Sequence, residues 1–180
     1  MGSKLAKIKG TPCFSCYARK LQKLRPSVDQ GWKANLAKWQ QANKSKWVQA
    51  MTFQINRYNV DGYHRWFDSG DLQSLEMLRN IIDVALLTPH IKHWLPTQER
   101  GIVEAYRKQY GQEPSNLVIR VSASKVDAET MPRFANTSMV FTKHGKPLGK
   151  ECKARTRGNQ CGDCRACWSK EVKVIAYPKH

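Results

Sequence analysis

Long apolar runs and acidic residues are both scarce in this sequence of 180 residues. No apolar run approaches the roughly 18 residues that a membrane-spanning helix needs, so we expect no transmembrane segment. The basic N-terminus has no apolar core of the kind found in secretory signals, so we expect no export. Repeats, low-complexity tracts and long Gly/Ser/Pro linkers are also lacking. We therefore expect a single domain over residues 1–180.

The shortage of acidic residues leaves a large positive charge. Against 31 Lys and Arg stand only 14 Asp and Glu, which gives a formal net charge of +17. A surplus of this size lies at the surface and attracts polyanions, so nucleic acid is the expected partner. A solvated surface that keeps the protein in solution is the alternative. Apolar residues make up 41% of the chain, which is enough for a packed core.

Hydrophobic periodicity predicts an α/β fold. Apolar residues at helical spacing predict one long or broken amphipathic helix from about 31 to 57, and the first ten residues are expected to form a loop or an edge strand. The stretches "YHRWF", "IKHWL" and "NLVIRVSAS" predict strands that start near residues 62, 91 and 117 and alternate with helices, the second of which Gly111 would cap. Strands joined by helices pair in parallel.

We therefore expect a small, mostly parallel sheet, as a partial barrel or an open sheet, with covering helices. The stretches "TSMVFT" and "VKVIAY" predict two further strands. Along the domain, residues 1–60 would hold a cysteine pair and the basic helix, residues 61–143 the β-α units, and residues 144–180 a cysteine-rich, metal-binding segment.

Polar residues follow the first three predicted strands. Ligands of parallel α/β proteins bind at the carboxyl ends of the strands, so these loops predict the reaction site. Gly70 permits a turn before the next helix, and Gly70 and Ser124 are candidates for binding a substrate or cofactor. A helix cap is the alternative role for Ser69 or Asp71. The candidate catalytic residues are Asp68, Ser69, Asp71, Glu99 and Ser122.

Six cysteines in a chain without an export signal indicate metal binding more than disulfides. Cys161, Cys164 and Cys167 have the C-x2-C-x2-C spacing that is typical of [4Fe–4S] ligands. Cys13 and Cys16 form a C-x2-C pair of the kind that supplies half of a zinc site. We expect a [4Fe–4S] cluster, with Zn²⁺ as the alternative.

The thiols can be divided among sites in three ways. Cys152 could complete a set of four with the triplet and leave the N-terminal pair separate. The N-terminal pair could instead share one site with part of the C-terminal group. In a third arrangement three thiols hold a cluster and leave one iron without a protein ligand, as a catalytic cluster requires.

Basic residues accompany both the predicted helix and the C-terminal cysteines. On the helix, lysines beside core tryptophans could contact phosphate. Near the thiols, cations either lower thiol pKa values or belong to a nucleic-acid surface. The candidate nucleic-acid-binding residues are Lys33, Lys44, Lys46, Arg155, Arg157 and Arg165.

The segments "TPCFSCYARK", "RWFDSGDLQSLEMLRNI" and "CGDCRACWSKEVKVIAYPKH" resemble the bacteriophage gene product 88-like proteins. These share a C-x2-C-Y-A segment, an S-G-D strand end and a C-terminal cysteine triplet. The resemblance implies a phage origin and location in the host cytoplasm. It also implies a relation to radical-SAM-like phage proteins and so S-adenosylmethionine as a cosubstrate. Radical-SAM enzymes carry three cysteines in one loop, whereas only Cys13 and Cys16 occur here.

Two functions fit these patterns. The first is an iron–sulfur enzyme that carries out redox or radical chemistry on a nucleic acid or a nucleotide. The second is a zinc-stabilised, non-catalytic protein that binds nucleic acid or a host protein.

Overall fold

The computed structural model describes residues 2–179, which form helices and a single sheet. The helices are α1 (Gly2–Leu5), α2 (Tyr17–Leu24), α3 (Pro26–Gln41), α4 (Lys44–Tyr58), α5 (Leu75–Leu87) and α6 (Arg100–Tyr110). The strands are β1 (Tyr63–Arg65), β2 (Lys92–Thr97), β3 (Leu117–Ser122), β4 (Thr137–Phe141), β5 (Lys150–Glu151) and β6 (Val174–Pro178). Short 3-10 turns cover Ala154–Arg157 and Ala166–Trp168.

The strands form one sheet in the order β1-β2-β3-β4-β6-β5, and every neighbouring pair is parallel. The sheet curls into a half-barrel. Helices α5 and α6 connect β1 to β2 and β2 to β3, which is the crossover that parallel pairing needs. The α/β prediction and the parallel sheet are therefore confirmed, in the form of a partial barrel.

Helices cover one face of the sheet. Leu95, Ile119 and Val121 from alternate strand positions pack there against apolar residues of α3 to α6, including Val84 and Val103. All five are fully or almost fully buried. Because strand side chains alternate between the two faces, this register places the intervening residues on the opposite side.

The opposite face is covered by the C-terminal segment, and we call it the cysteine face. Trp94 of β2 and Ile175 of β6 pack there against Ala166 and Cys167. The sheet is thus enclosed between helices on one side and a loop with little regular structure on the other. A polar carboxyl-terminal edge lies between them.

The predicted helix takes the broken one of its two expected forms. It is interrupted at Ala42 because Asn43 caps α4, accepting a hydrogen bond from the Lys46 amide at 3.1 Å. Local structure departs from expectation in two other places. The first residues include a helical turn, α1, where a loop or an edge strand was expected. Strand β1 ends at Arg65, since Phe67 has a left-handed backbone (φ 58°) that a strand cannot hold.

Other predicted boundaries agree closely with the structure. The first three strands start at residues 63, 92 and 117. Gly111 ends α6 with φ 84°, and its amide bonds to the Arg107 carbonyl. Within the described residues, no helix is both long and apolar enough to cross a membrane.

Candidate functional site: the strand-end edge and the cysteine face

Asp71 connects two loops at the carboxyl-terminal edge of the sheet. Its carboxylate accepts hydrogen bonds from the Thr97 hydroxyl at 2.5 Å and from the Gln98 amide at 2.8 Å. It also accepts from the Leu72 amide at 2.8 Å. Burial raises the pKa of Asp71, although these three hydrogen bonds oppose the rise. The result is a sheltered carboxyl group that can hold or release a proton at the edge of the sheet.

Asp71 does not cap a helix. The N-cap of α5 is Ser74, whose hydroxyl accepts from the Met77 amide at 3.1 Å. The alternative role considered for Asp71 is therefore wrong, because the helix begins three residues later than a cap at that position requires. Gly70 precedes Asp71 with φ 91°, a conformation that favours glycine, and confirms the predicted turn.

Asp68 lies at the exposed end of the same loop. The Tyr17 hydroxyl, from the first turn of α2, donates to the Asp68 carbonyl at 3.0 Å and contacts its carboxylate at 3.4 Å. Burial, followed by the charge of Asp68, raises the pKa of Tyr17. The N-terminal segment therefore reaches the strand-end edge, which its sequence did not indicate.

The remaining predicted residues of this edge are placed separately. Ser122 pairs with Ser138 across β3 and β4, with hydroxyl oxygens 3.0 Å apart. Glu99 precedes α6, and its amide donates to the Thr97 hydroxyl at 2.9 Å. Ser69 and Ser124 are partly exposed loop residues. The edge thus brings together Asp71 and the loop that carries Glu99. Ser122 is joined instead to Ser138 of the predicted fourth strand, a residue that was not among the site candidates.

Cys13 and Cys16 lie beside this edge. The Cys16 amide donates to the Cys13 carbonyl at 3.4 Å, and Cys16 is the N-cap residue of α2. Burial raises the pKa of Cys13, with further contributions from Cys16 and Asp71. This pair is therefore a neighbour of the predicted catalytic carboxylate.

The other four cysteines gather on the cysteine face. Cys167 is buried in an apolar cluster with Trp94 and Ile175, and Cys152 and Cys164 pack against that cluster. Cys161 is exposed but close enough to influence the charge state of Cys167. We refer to Cys152, Cys161, Cys164 and Cys167 as the four-cysteine group.

The Cys167 thiol is strongly disposed to be neutral. Burial raises its pKa to about 11, even though a hydrogen bond with the Tyr177 hydroxyl and the charge of Arg120 lower it. The Cys167 sulfur and the Tyr177 oxygen are 3.3 Å apart. A thiolate at this position would therefore need more positive charge beside it than Arg120 supplies.

A buried arginine holds the loop that carries this group. Arg120 of β3 is 0% exposed and donates to the carbonyls of Ala166 and Cys167, each at 3.0 Å. It also donates to the carbonyl oxygens of Ser169 at 2.7 Å and Thr137 at 3.4 Å. The sequence prediction missed Arg120, although a lone charge within the apolar run "NLVIRVSAS" is a signal that could have found it.

The described residues do not form a complete coordination sphere. Across residues 2–179, no three His, Cys, Asp or Glu side chains are arranged so that they could hold one metal ion. The four-cysteine group and the N-terminal pair lie in different parts of the fold, and which thiols share a metal stays a prediction.

The predicted nucleic-acid-binding residues occupy both ends of the chain. Lys33 forms an ion pair with Asp29 at 2.7 Å, and the Lys44 ammonium lies 4.0 Å from the centre of the Trp39 ring. Lys46 is exposed at the start of α4. On helices α3 and α4, Lys33 and Lys44 therefore have partners within the protein, and Lys46 is open to solvent.

The three arginines lie around the cysteine-rich loop. Arg155 donates to the Lys179 carbonyl at 3.0 Å, and Arg157 donates to the Cys161 carbonyl at 3.4 Å. Arg165 donates to the Gly162 carbonyl at 2.5 Å. These contacts brace the loop, a structural role that the charge pattern alone did not indicate.

Comparison with known proteins yields one family. The family model described as gene product 88 matches residues 7–170, which is most of the chain. No curated protein and no solved structure matches it.

Proposed function

Since the chain belongs to the gene product 88 family of bacteriophage proteins, we propose that it is a phage iron–sulfur protein with an enzymatic site at the strand-end edge. The observation that carries the proposal is the four-cysteine group, in which Cys152 and Cys164 pack against the apolar cluster of the buried Cys167 and Cys161 lies near it. Four thiols of this kind are the usual ligands of a [4Fe–4S] cluster. The cluster would supply one-electron transfer.

The surroundings of the group fit a cluster. Trp94 packs with Cys167, and its indole nitrogen is buried without a hydrogen-bond partner among the described residues. Cluster and thiolate sulfurs accept N–H hydrogen bonds, which tune the potential of the metal centre. Metal binding commonly organises ligands that stand apart in the metal-free protein, and the exposed Cys161 would turn inward.

The metal is tested by purifying the protein without oxygen. We expect a brown protein with broad visible absorption and with iron and sulfide in similar amounts. Cys164→Ser and Cys167→Ser should remove the colour. Cys13→Ser and Cys16→Ser are the matched controls and should retain it. A colourless protein that holds stoichiometric zinc would contradict the iron assignment and favour a zinc-stabilised, non-catalytic nucleic-acid-binding protein.

The proposed catalytic group is Asp71, with Glu99 and Asp68 in the adjoining loops. Its raised pKa and its shelter at the edge suit a group that accepts or donates a proton during a reaction. The N-terminal pair, Cys13 and Cys16, borders the same edge and would contact a bound substrate. Asp71→Asn should leave the iron content unchanged while abolishing turnover, whereas a non-catalytic binder would tolerate it.

The proposed substrate is a nucleic acid or a nucleotide because the charge is concentrated at the two ends of the chain. Residues 1–60 hold 12 Lys and Arg and a single acidic residue, and residues 143–180 hold 10 against three. The middle of the chain has nearly balanced charge. The N-terminal segment reaches the strand-end edge, and the C-terminal segment covers the cysteine face, so a polyanion at the edge would meet basic residues from both.

Affinity for DNA and RNA measured at several salt concentrations tests the partner. Binding should weaken steeply as salt rises, because bound Lys and Arg displace counterions. In a plot of the logarithm of the association constant against the logarithm of the salt concentration, Lys46→Gln should make the slope shallower by about one unit. Arg133→Gln, in the charge-balanced middle of the chain, is the control. No binding at moderate salt would contradict the proposal.

A further inference from the structure

Arg120 carries a buried charge without an acidic partner. The side chain is 0% exposed, and its four hydrogen bonds all go to backbone carbonyls. Within residues 2–179, none of the ion pairs involves Arg120. Carbonyl dipoles offset part of the desolvation cost, but a buried cation without an anion remains destabilising.

An anion that compensates Arg120 would lie on the cysteine face, because the guanidinium donates to carbonyls of the loop at residues 166–169, which carries Cys167. Among the described residues, no acidic side chain forms an ion pair with it there. Cys167 also accepts from Arg120 through its own carbonyl at 3.0 Å, which keeps the charge next to the four-cysteine group.

We propose that the Arg120 guanidinium is the countercharge of an anionic, thiolate-ligated metal centre in the four-cysteine group. This inference rests on the proposed function, since it needs a metal at that site. Four thiolates around Zn²⁺ or around an oxidised [4Fe–4S] core form a dianion. Arg120 then offsets one of the two negative charges across the loop at residues 166–169, and the guanidinium is no longer without an anion in the interior.

The inference predicts that metal binding and the charge at position 120 are coupled. A residue that only clamps the loop through hydrogen bonds would stabilise the metal-free and metal-loaded proteins equally. A countercharge stabilises the metal-loaded protein, whereas the same buried charge destabilises the metal-free protein. Losing the four hydrogen bonds should destabilise both forms alike, so removal of the charge should appear as weaker metal binding.

The experiment titrates Zn²⁺ into metal-free protein against a competing chelator. Cys13→Ser and Cys16→Ser are introduced first, so that zinc reports on the four-cysteine group. Arg120→Gln and Arg120→Met remove the charge, while Arg120→Lys retains it without the planar fork. We expect the zinc association constant to fall at least tenfold in the two neutral variants and to stay within about threefold of wild type in Arg120→Lys. Arg133→Gln, an exposed arginine, should have no effect.

If the anaerobic protein contains iron, its reduction potential gives a second readout. Reduction adds a negative charge, so loss of Arg120 should lower the equilibrium constant for reduction at least tenfold, or about 59 mV for one electron. Arg120→Lys should keep the potential near that of wild type.

The outcomes separate the two proposals. A wild-type protein that binds no metal at the four-cysteine group overturns the proposed function and this inference with it. Metal binding that is equally strong in Arg120→Gln, Arg120→Met and wild type overturns the inference alone. So does an Arg120→Lys protein that binds zinc as weakly as the two neutral variants, because the ammonium group keeps the charge.

Discussion

His93 should make the stability of this protein depend on pH. It lies on β2, is 0% exposed, and pairs through Nε2 with the Thr88 hydroxyl at 2.8 Å. Thr88 gives its own hydrogen to the Val84 carbonyl at 2.7 Å, so the imidazole must donate from Nε2. Nδ1 is then the site of protonation, and it is buried without a partner among the described residues.

Aromatic rings lie beside the His93 ring. The Trp66 ring is stacked at 6.0 Å and the His64 ring lies 5.6 Å away. Burial lowers the pKa of His93 from its ordinary 6.5 to about 4, and the charge of His64 contributes to the same shift. The unfolded chain therefore binds a proton at this residue in a pH range where the folded protein does not.

This difference sets the sign and size of the effect. The contribution of His93 to the free energy of unfolding is fully present above pH 6.5. It declines as the pH falls towards 4, because the unfolded state binds the proton more readily. A shift of this size corresponds to about 3 kcal/mol of unfolding free energy. The raised pKa of Asp71 contributes an opposing slope in the same range, so the effect of His93 must be isolated by comparison with a variant.

The variant is His93→Gln, whose amide can still donate to Thr88 but does not titrate. Urea unfolding followed by tryptophan fluorescence between pH 4 and 8 gives the free energy for each protein. We expect the wild-type value to fall by about 3 kcal/mol more than that of the variant over this range. His64→Gln serves as the matched control for the neighbouring ring. Parallel curves for wild type and His93→Gln would refute the reasoning.

Three further substitutions should change stability measurably in urea unfolding. Asn116→Ala removes an amide that donates to the carbonyls of Ala85 at the end of α5 and of Thr88 and Ile91 in the following loop, at 2.8 to 3.2 Å. It should cost about 2 kcal/mol, and Asn116→Asp, which has no donor, should cost more. Glu113→Gln disrupts a largely buried pair with Arg107 at 2.7 Å and should cost about 3 kcal/mol, whereas Glu104→Gln, at an exposed pair, should cost less than about 1 kcal/mol. Gly149→Ala should cost about 1 to 3 kcal/mol, since Gly149 has φ 82° and the added carbon would lie 2.6 Å from a β6 carbonyl oxygen. Equal losses at Glu113 and Glu104, or a neutral Gly149→Ala, would contradict these contacts.

The sequence predicts where the strand-end edge lies but not which of its side chains form hydrogen bonds with one another. Asp71 follows the first strand and Thr97 ends the second, so the rule for parallel sheets places both at one edge. That the Asp71 carboxylate accepts from Thr97 depends on the register of β1 against β2 and on the left-handed Phe67, which ends the strand early. A residue as bulky as Phe gives no sequence signal for such a turn.

The N-terminal segment shows the same limit. Apolar spacing predicted a helix only from about residue 31, and nothing in residues 1–25 indicates that Tyr17 would contact Asp68, 51 residues away. Contacts of this kind depend on how the helical segment packs against the sheet, which is a global result of burying the apolar faces.

Hydrophobic periodicity, charge and cysteine spacing are local patterns that extend over a few residues, so the sequence alone reveals them. They predicted the parallel α/β order, the strand positions and the presence of two thiol groups. The assignment of Cys152 to the C-terminal triplet required β5 to pair beside β6, and the significance of Arg120 required that its strand be buried on both faces. An arginine at the surface is solvated, whereas the buried Arg120 has no water to stabilise its charge. Only the packing of distant segments determines that Arg120 is buried.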